Sequence, residues 1–550
     1  MVVIMQVWRT ERTESKEEDV LTCCRLSVLN NFLSEKHQYV RRNKVIDLDV
    51  SPAKTTNCQK HEKKNFLGKL LLAVPTVSEL KQYAGVVLCG LTLWGTSWFI
   101  FKELVIPGGY LLSMSGVVMA GYIFGHTLER YTTINSVVGM TLIGALYRNF
   151  GPTNYLNNPN ADAIDFHLRR IYPVIILTKG PLSWNWEYIK NNSVKVFSLA
   201  ILPWTVECLS TAFFTHILLD YPWYWGLHLG AILASVSPAV VVPTVLALKD
   251  KGLGTKNQIA MLVGNAGGLD TTLTEAMTGV INSAIFYPAS LAYRIVKGAL
   301  ATFAGISAGV TWGVLCDFIP DQSDLYAPTV RSLLIFGGGV MLTYAGGYCG
   351  WGGASGVAIM VCAATAATRW ARRGWPVNDN PVSEVYKLLW RIFEPMLFTL
   401  TGYYLDVSLI STKECCLILG CLFSALILRL LTAFLVALAN ELSLKESAFI
   451  AVTWIPKAIV EAVLVRTAMD SLSEDATEQD KHVALQHSNI IVIAILITST
   501  IGSVLTTVLG PVLLSQESRV APENFYRAQT LTPAVTNPSA NACGSNIPSL

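Results

Sequence analysis

The chain has 550 residues, of which 52% are hydrophobic and only 14% are charged, and its mean hydropathy is +0.44. Soluble domains carry about 25% charged residues, so this composition excludes a soluble, collagen-like, coiled-coil or largely disordered protein. The formal net charge of +3 argues against a nucleic-acid partner. The 12 cysteines are scattered without the spacing of a metal site or a disulfide framework, and no cofactor is expected. The class that remains is an all-α polytopic membrane protein.

Long stretches without charges predict about fourteen transmembrane helices, because about 20 apolar residues cross a bilayer. The uncharged run Ser332–Thr368 is too long for one helix, and Gly350 and Gly352 predict a break within it. A polar loop is expected at Asn149–Asp165. The predicted spans are Lys81–Lys102, Leu104–Leu128, Tyr131–Tyr147, Ile171–Leu182, Val196–Leu219, Tyr224–Leu248, Gln258–Tyr287, Gly298–Cys316, two within Ser332–Thr368, Leu388–Leu405, Cys415–Ala439, Ser447–Ala468 and Val483–Leu514.

Three regions follow from this pattern. Residues 1–80 are polar and basic and are predicted to be cytoplasmic and largely disordered. Residues 81–515 are predicted to form the transmembrane domain, and residues 516–550 are predicted to form a disordered cytoplasmic tail. An even number of spans puts both termini on one side, and positively charged loops favour the cytoplasm for that side. The plasma membrane is favoured over an internal membrane.

Six ionisable side chains fall inside the predicted spans, where an unpaired charge is costly and such groups mark ion paths or proton relays. Asp270 and Arg429 lie farthest from either interface and are predicted to form an ion pair. The alternative is that these groups only satisfy one another or reach toward the interfaces. The six residues are Glu207, Asp270, Glu275, Arg429, Lys457 and Glu461.

Prolines interrupt two of the charged regions. SVSPAVVVPTV (residues 235–245) contains Pro238 and Pro243, and WIPKAIVEA contains Pro456 beside Lys457. Irregular backbone at membrane depth survives only where it lines protein or water. One such segment in each half of the chain is typical of inverted-repeat transporters with two crossed broken helices. Lys457 could neutralise the negative helix ends at such a crossing.

These segments, together with FEPMLFTLTG and the Arg429 within a span, resemble the animal NHA-type sodium/proton antiporters of the cation/proton antiporter superfamily. The resemblance covers about residues 82–515 and implies an NhaA-like fold. It implies a homodimer in which a six-helix core domain moves by an elevator mechanism. By position it implies the first broken helix at Ser237–Pro243, the second at Lys457, the first aspartate of the family's Asp-Asp pair at Asp270, its basic partner at Arg429 and a further acidic residue at Glu207.

One position departs from that pattern, because Thr271 stands where the family carries its second aspartate. A threonine offers an oxygen ligand but no titratable charge. Glu275, one helical turn after Thr271, or Glu461, four residues after Lys457, could restore the missing carboxylate, and Glu394 in FEPML is a third acidic candidate. The predicted ion- and proton-binding residues are Asp270, Thr271, Glu275 and Ser237, and the predicted charge-compensating residues are Arg429, Lys457, Glu207 and Glu461.

Three functions remain open at this point. The first is a secondary antiporter that exchanges H⁺ for Na⁺ or Li⁺, and in a wider range K⁺, at a modified Asp-Thr site. The second is a proton-coupled exchanger of an anion such as Cl⁻, because Arg429 and Lys457 remain without the second aspartate and Thr271 and Thr272 can donate hydrogen bonds to an anion. The third is a transport-inactive scaffold or regulatory subunit. An enzyme is not expected, because the sequence holds no nucleophile–base pattern or nucleotide loop.

Overall fold

The computed structural model describes residues 77–151, 159–286, 290–321, 323–375, 380–473 and 476–515. All regular elements in these ranges are helices, which confirms the all-helical class. Short 3₁₀ turns lie at Lys102–Leu104, Pro181–Ser183 and Val407–Leu409. The α-helices are α1 (Val77–Phe101), α2 (Tyr110–Tyr131), α3 (Ser136–Phe150), α4 (Pro159–Lys179), α5 (Trp186–Asn191), α6 (Ser193–Leu219), α7 (Trp223–Leu233), α8 (Pro238–Asp250), α9 (Ile259–Phe286), α10 (Leu291–Phe318), α11 (Ala327–Tyr348), α12 (Gly352–Arg372), α13 (Pro381–Tyr403), α14 (Thr412–Ala439), α15 (Leu444–Thr453), α16 (Ile459–Leu464), α17 (Thr467–Asp470) and α18 (Glu478–Leu513).

Membrane-spanning character can be assigned by length and apolar composition. By these two criteria, seven segments within the described ranges can cross a bilayer, so the predicted total of fourteen stays a prediction. The predicted N-terminal and C-terminal regions lie outside the described residues, except for residues 77–80. The seven segments are Tyr110–Tyr131, Ser193–Leu219, Trp223–Asp250, Val296–Phe318, Gly353–Arg372, Thr412–Ala439 and Glu478–Leu513.

Helix α14 illustrates how the apolar surface is divided between lipid and protein. Leu431 and Leu435 are each 52% exposed and lie on one side of the helix. Ala425, Arg429 and Ala433, four residues apart, are buried on the other side. A large exposed apolar face is unfavourable in contact with water but favourable in contact with the hydrocarbon of a bilayer. Arg429 therefore points into the protein, and Leu431 and Leu435 face the bilayer.

Two sequence predictions about helix ends have different outcomes. The predicted break near Gly350 is confirmed, because α11 ends at Tyr348, α12 begins at Gly352, and Gly350 adopts a left-handed φ of +66°. The predicted polar loop Asn149–Asp165 is wrong at its end, because α4 begins at Pro159. Helix α4 tolerates polar residues here because Asp165 pairs with Arg169 one turn later, at 2.8 Å.

The apolar interior consists of two main clusters. The larger joins α4, α7, α12, α13 and α18 through side chains such as Tyr172, Leu229 and Phe398. The second joins α6, α8, α9 and α14 with the segment around α15, through side chains such as Leu199, Val245 and Phe449. The helices of the second cluster carry the buried charges Glu207, Asp270 and Arg429, so its packing fixes the positions of these three side chains.

Helices α10 and α12 approach each other unusually closely. Gly305, Gly309 and Gly313, each one turn apart on α10, lie against the backbone carbonyls of Ala354, Ala358 and Cys362 on α12, and a Cβ on any of the three glycines would overlap a carbonyl oxygen. Small residues at one-turn spacing permit this backbone approach between membrane helices.

We therefore expect Gly309→Ala to destabilise the protein by about 1–3 kcal/mol, because the added methyl group overpacks the α10–α12 contact. Gly337→Ala is the matched control, since a Cβ at Gly337 meets no neighbouring atom within 4 Å. The thermal unfolding midpoint in detergent should fall for Gly309→Ala and stay near wild type for Gly337→Ala. Equal midpoints for the two variants would contradict the close packing.

Candidate functional site

Two helices are interrupted where they meet. The chain leaves helical geometry between α7, which ends at Leu233, and α8, which begins at Pro238, and again between Thr453 and Ile459. The backbone N–H of Ser237 in the first break donates to the carbonyl oxygen of Pro456 in the second, at 2.8 Å. The predicted interruptions are confirmed at these two places, and the two breaks contact each other directly.

The prolines contribute differently to the breaks. Pro238 is the first residue of α8, where its missing N–H is not needed and its fixed φ suits a helix start. Pro243 lies inside α8 without ending it. Pro456 lies in the non-helical segment between α15 and α16.

Side chains from neighbouring helices satisfy the backbone groups that the breaks expose. The N–H of Val236 donates to Asp270 Oδ1 at 3.0 Å. The N–H of Lys457 donates to Thr498 Oγ1 at 3.1 Å, and Ser499 Oγ donates to the carbonyl oxygen of Lys457 at 2.6 Å. Buried backbone polar groups need such partners at membrane depth. Helices α9 and α18 therefore stabilise the irregular segments through specific polar side chains.

Four charged side chains form a continuous chain beside the breaks. Arg429 Nη2 lies 3.2 Å from Asp270 Oδ2, and Arg429 Nη1 donates to Glu207 Oε2. The other oxygen of Glu207, Oε1, lies 2.7 Å from Lys457 Nζ. All four are at most 1% exposed. The predicted Asp270–Arg429 ion pair is confirmed, and Glu207 joins both cations. We call Asp270, Arg429, Glu207 and Lys457 the four-charge cluster.

The two cations of the cluster also contact the carboxyl end of α7. Lys457 Nζ donates to the carbonyl oxygen of Leu233, and Arg429 Nη1 donates to that of Ala234. The carboxyl end of a helix carries a partial negative charge, and its last carbonyl oxygens have no hydrogen-bond partner within the helix. Lys457 makes the contact with a helix end that the prediction requires, and Arg429 makes a second one, while the charge-compensating role stays a prediction.

The remaining predicted ion-binding residues lie on the same helices with different surroundings. Thr271, on α9 next to Asp270, donates its hydroxyl to the carbonyl oxygen of Gly267 at 3.0 Å. Ser237 is 1% exposed, and within the described residues its hydroxyl has no hydrogen-bond partner. Glu275 is 7% exposed on α9, and its carboxylate lies against Gly356 of α12, where a Cβ would approach Oε2. Among the described residues, Glu275 shares no ion pair with the four-charge cluster.

The two other acidic candidates occupy separate environments. Glu461, in the first turn of α16, is 0% exposed. Glu394 lies on α13 near Lys179 of α4, whose ammonium group lies 5.3 Å from the ring centroid of Trp390. The part of the chain that the structure describes contains no group of three or more His, Cys, Asp or Glu arranged to hold a metal ion.

Sequence reasoning missed the position of Glu207 at the centre of the cluster. It also missed Thr498 and Ser499, which hold Lys457 from α18. A threonine–serine pair within an apolar span is a common packing feature, so it gave no specific signal. The residues became recognisable only because the fold brings α18 against the second break.

An apolar all-helical chain with buried charges at the contact between two interrupted helices defines a polytopic membrane transporter for ions. Comparison with known proteins agrees with that class. The family described as "Sodium/hydrogen exchanger, transmembrane" matches residues 91–513. The chain belongs to this family, which confirms the resemblance inferred from the sequence.

Individual relatives and a solved structure support the same assignment. Human sodium/hydrogen exchanger 9B2 is 29% identical over 451 residues, covering 81% of this chain and 83% of that protein. Human sodium/hydrogen exchanger 9B1 is 28% identical over 438 residues, covering 78% and 83%. The fold is similar to that of the sodium proton antiporter MjNhaP1 from Methanocaldococcus jannaschii, with a TM-score of 0.60, 19% identity and coverage of 74% of this chain and 98% of that one. The family is one of transporters rather than enzymes in the usual sense.

The cluster predicts a large effect of Glu207→Gln, because the change removes the charge that compensates both Arg429 and Lys457. Breaking a buried ion pair from one side costs about 3–5 kcal/mol, so the thermal unfolding midpoint in detergent should fall markedly. Glu384→Gln is the control, because Glu384 pairs with Lys387 on the surface, with the two side chains 60% and 41% exposed. Loss of a surface pair costs about 0–1 kcal/mol. Similar midpoints for the two variants would contradict the central role of Glu207.

Proposed function

We propose that this chain is a secondary antiporter that exchanges protons for monovalent cations across a membrane. The observation that carries the proposal is the four-charge cluster at the contact between the two broken helices. Membership of the sodium/hydrogen exchanger family supports cation/proton antiport, with H⁺ and Na⁺ as the transported ions. We propose Li⁺ as a further transported cation, and K⁺ as a third.

The charges of the cluster favour a cation over an anion as the exchanged ion. Its two anionic and two cationic side chains compensate each other, and both cations are also engaged by carbonyl oxygens of the α7 end. The positive charges of both cations are therefore compensated within the cluster, and of their nitrogen atoms only Arg429 Nε lacks a hydrogen-bond partner among the described residues. Unpartnered hydroxyl and carboxylate oxygens, such as Ser237 Oγ, are the ligands that hard cations prefer.

We further propose an elevator mechanism in which the charged helices move as one unit. Glu207, Asp270 and Arg429 lie on α6, α9 and α14, and these three helices share one apolar cluster with α15. The close glycine contact of α10 with α12 lies outside that cluster. The proposal also includes the inverted-repeat architecture, a homodimer and a transporter domain over residues 81–515 with cytoplasmic ends, for which the family resemblance is the support. We place the protein in the plasma membrane in preference to an internal membrane.

Proteoliposomes containing the purified full-length protein test the exchanged ion. We expect an imposed Na⁺ or Li⁺ gradient to move protons in the opposite direction, with the same rate in chloride and in gluconate. Empty liposomes are the control. Proton movement that requires chloride would replace the proposal with anion exchange, and no movement with either ion would favour the transport-inactive scaffold.

The substitution Thr271→Asp tests the proposed ion site, since it adds a carboxylate beside Asp270 where the resemblance places the family's second aspartate. We expect a lower Na⁺ concentration for half-maximal proton flux, because a charged oxygen binds a hard cation better than a hydroxyl oxygen does. Thr271→Ser is the matched control and should leave this concentration near wild type. An unchanged Na⁺ dependence in Thr271→Asp would contradict the placement of Thr271 at the ion site.

A further inference from the structure

Glu461 is a buried carboxylate that the four-charge cluster does not use. Its side chain is 0% exposed, and within the described residues neither Oε1 nor Oε2 has a hydrogen-bond partner. An ionised carboxylate is strongly disfavoured in such surroundings unless a cation or several donors compensate it. A carboxylate kept at this depth without a protein partner must either hold a proton or be compensated by a cation from outside the protein, and a cation/proton exchanger uses both states.

The nearest candidate for a protein partner is already engaged. Lys457 lies four residues before Glu461, but its ammonium group contacts Glu207 Oε1 at 2.7 Å and the carbonyl oxygen of Leu233. Glu461 lies in the first turn of α16, directly after the break that carries Lys457. Yet it forms no ion pair with any side chain in the described ranges. Glu461 is thus close to the cluster but not compensated by it.

Charge arithmetic gives the kind of ligand that would fit. The two anions and two cations of the cluster sum to zero, so an ionised Glu461 leaves one uncompensated negative charge. One monovalent cation restores neutrality at the crossing. Ser237, whose backbone joins the two breaks, has an unpartnered hydroxyl that adds a neutral oxygen to the same region.

Glu275, the other acidic residue that could replace the missing aspartate, has different surroundings. Its Oε1 is also buried without a hydrogen-bond partner among the described residues, but its carboxylate lies against Gly356 of α12. Glu275 is thus directed to α12, whereas Glu461 follows directly on the break that carries Lys457 of the cluster. The comparison selects Glu461 as the residue that acts together with Asp270.

We propose that Glu461 supplies the charged oxygen ligand for the transported monovalent cation, in place of the carboxylate that Thr271 lacks. In this proposal the second carboxylate lies in the first turn of α16, beside the second break, and not on α9 at the position of Thr271. The inference rests on the proposed cation/proton antiport and adds the identity of the second anionic ligand.

The experiment compares Glu461→Gln with Glu275→Gln in the full-length protein, reconstituted in proteoliposomes and probed with Na⁺ and Li⁺. Glutamine has nearly the shape of glutamic acid and carries no charge, so the fold should tolerate it. We expect Glu461→Gln to lower cation-driven proton flux at least about tenfold, since even outer-shell ligands change metal affinity or activity by 10–100-fold. Glu478→Gln, whose side chain is 89% exposed at the start of α18, controls for purification and reconstitution and should match wild type.

A binding measurement separates loss of a ligand from loss of fold. Na⁺ and Li⁺ should raise the thermal unfolding midpoint of the wild-type protein in detergent, because a ligand that binds only the folded state stabilises it. They should not do so for Glu461→Gln, while Glu461→Asp, which keeps a carboxylate, should retain part of the shift. A cation-dependent shift in Glu461→Gln equal to that of wild type would overturn the inference.

The remaining outcomes are also decisive. Loss of flux in Glu275→Gln but not in Glu461→Gln assigns the ligand to Glu275 and overturns the inference, although antiport stands. Equal loss in both variants overturns the assignment to a single residue. If the wild-type protein moves no protons in response to either cation, the proposed function fails first and the inference fails with it.

Discussion

The free-energy cost of burying charge at membrane depth determines how the side chains around the two broken helices are paired. An isolated ionised side chain in hydrocarbon is disfavoured by several kcal/mol, so each must find a partner or be absent. Here Glu207 lies between Arg429 and Lys457, and Arg429 also holds Asp270. The four side chains come from three helices and one break, and removal of Glu207 or Arg429 would leave a neighbouring charge without its partner.

The breaks and the charges depend on each other. Interrupting α7 at Leu233 exposes carbonyl oxygens and a partial negative charge, which Lys457 and Arg429 compensate. The irregular segment in turn exposes the backbone N–H of Val236, which donates a hydrogen bond to Asp270 Oδ1. The backbone irregularity is therefore part of the electrostatics of the site.

Much of this arrangement could be predicted from the sequence because single residues carry strong signals in a membrane. Asp270 and Arg429 are conspicuous in apolar runs. Their pairing follows from the free-energy cost of burying an unpaired charge in a membrane. Pro238 and Pro456 mark the breaks because proline lacks a backbone donor. The sequence could not predict that Glu207 joins both cations, since that depends on how α6 packs against α14 and against the second break. It also gave no means to choose between Glu275 and Glu461, because both follow a site residue by four positions and only packing directs one to α12 and the other toward the cluster.

The central claim is that a cation and a proton exchange at one buried set of carboxylates beside Arg429. The most direct measurement adds Na⁺ to the purified protein in weakly buffered detergent solution and records protons released at equilibrium, without a membrane or a gradient. The account predicts release that saturates with Na⁺ or Li⁺ and is the same with chloride or gluconate as counterion. No release with either cation, or release that follows chloride, would contradict it.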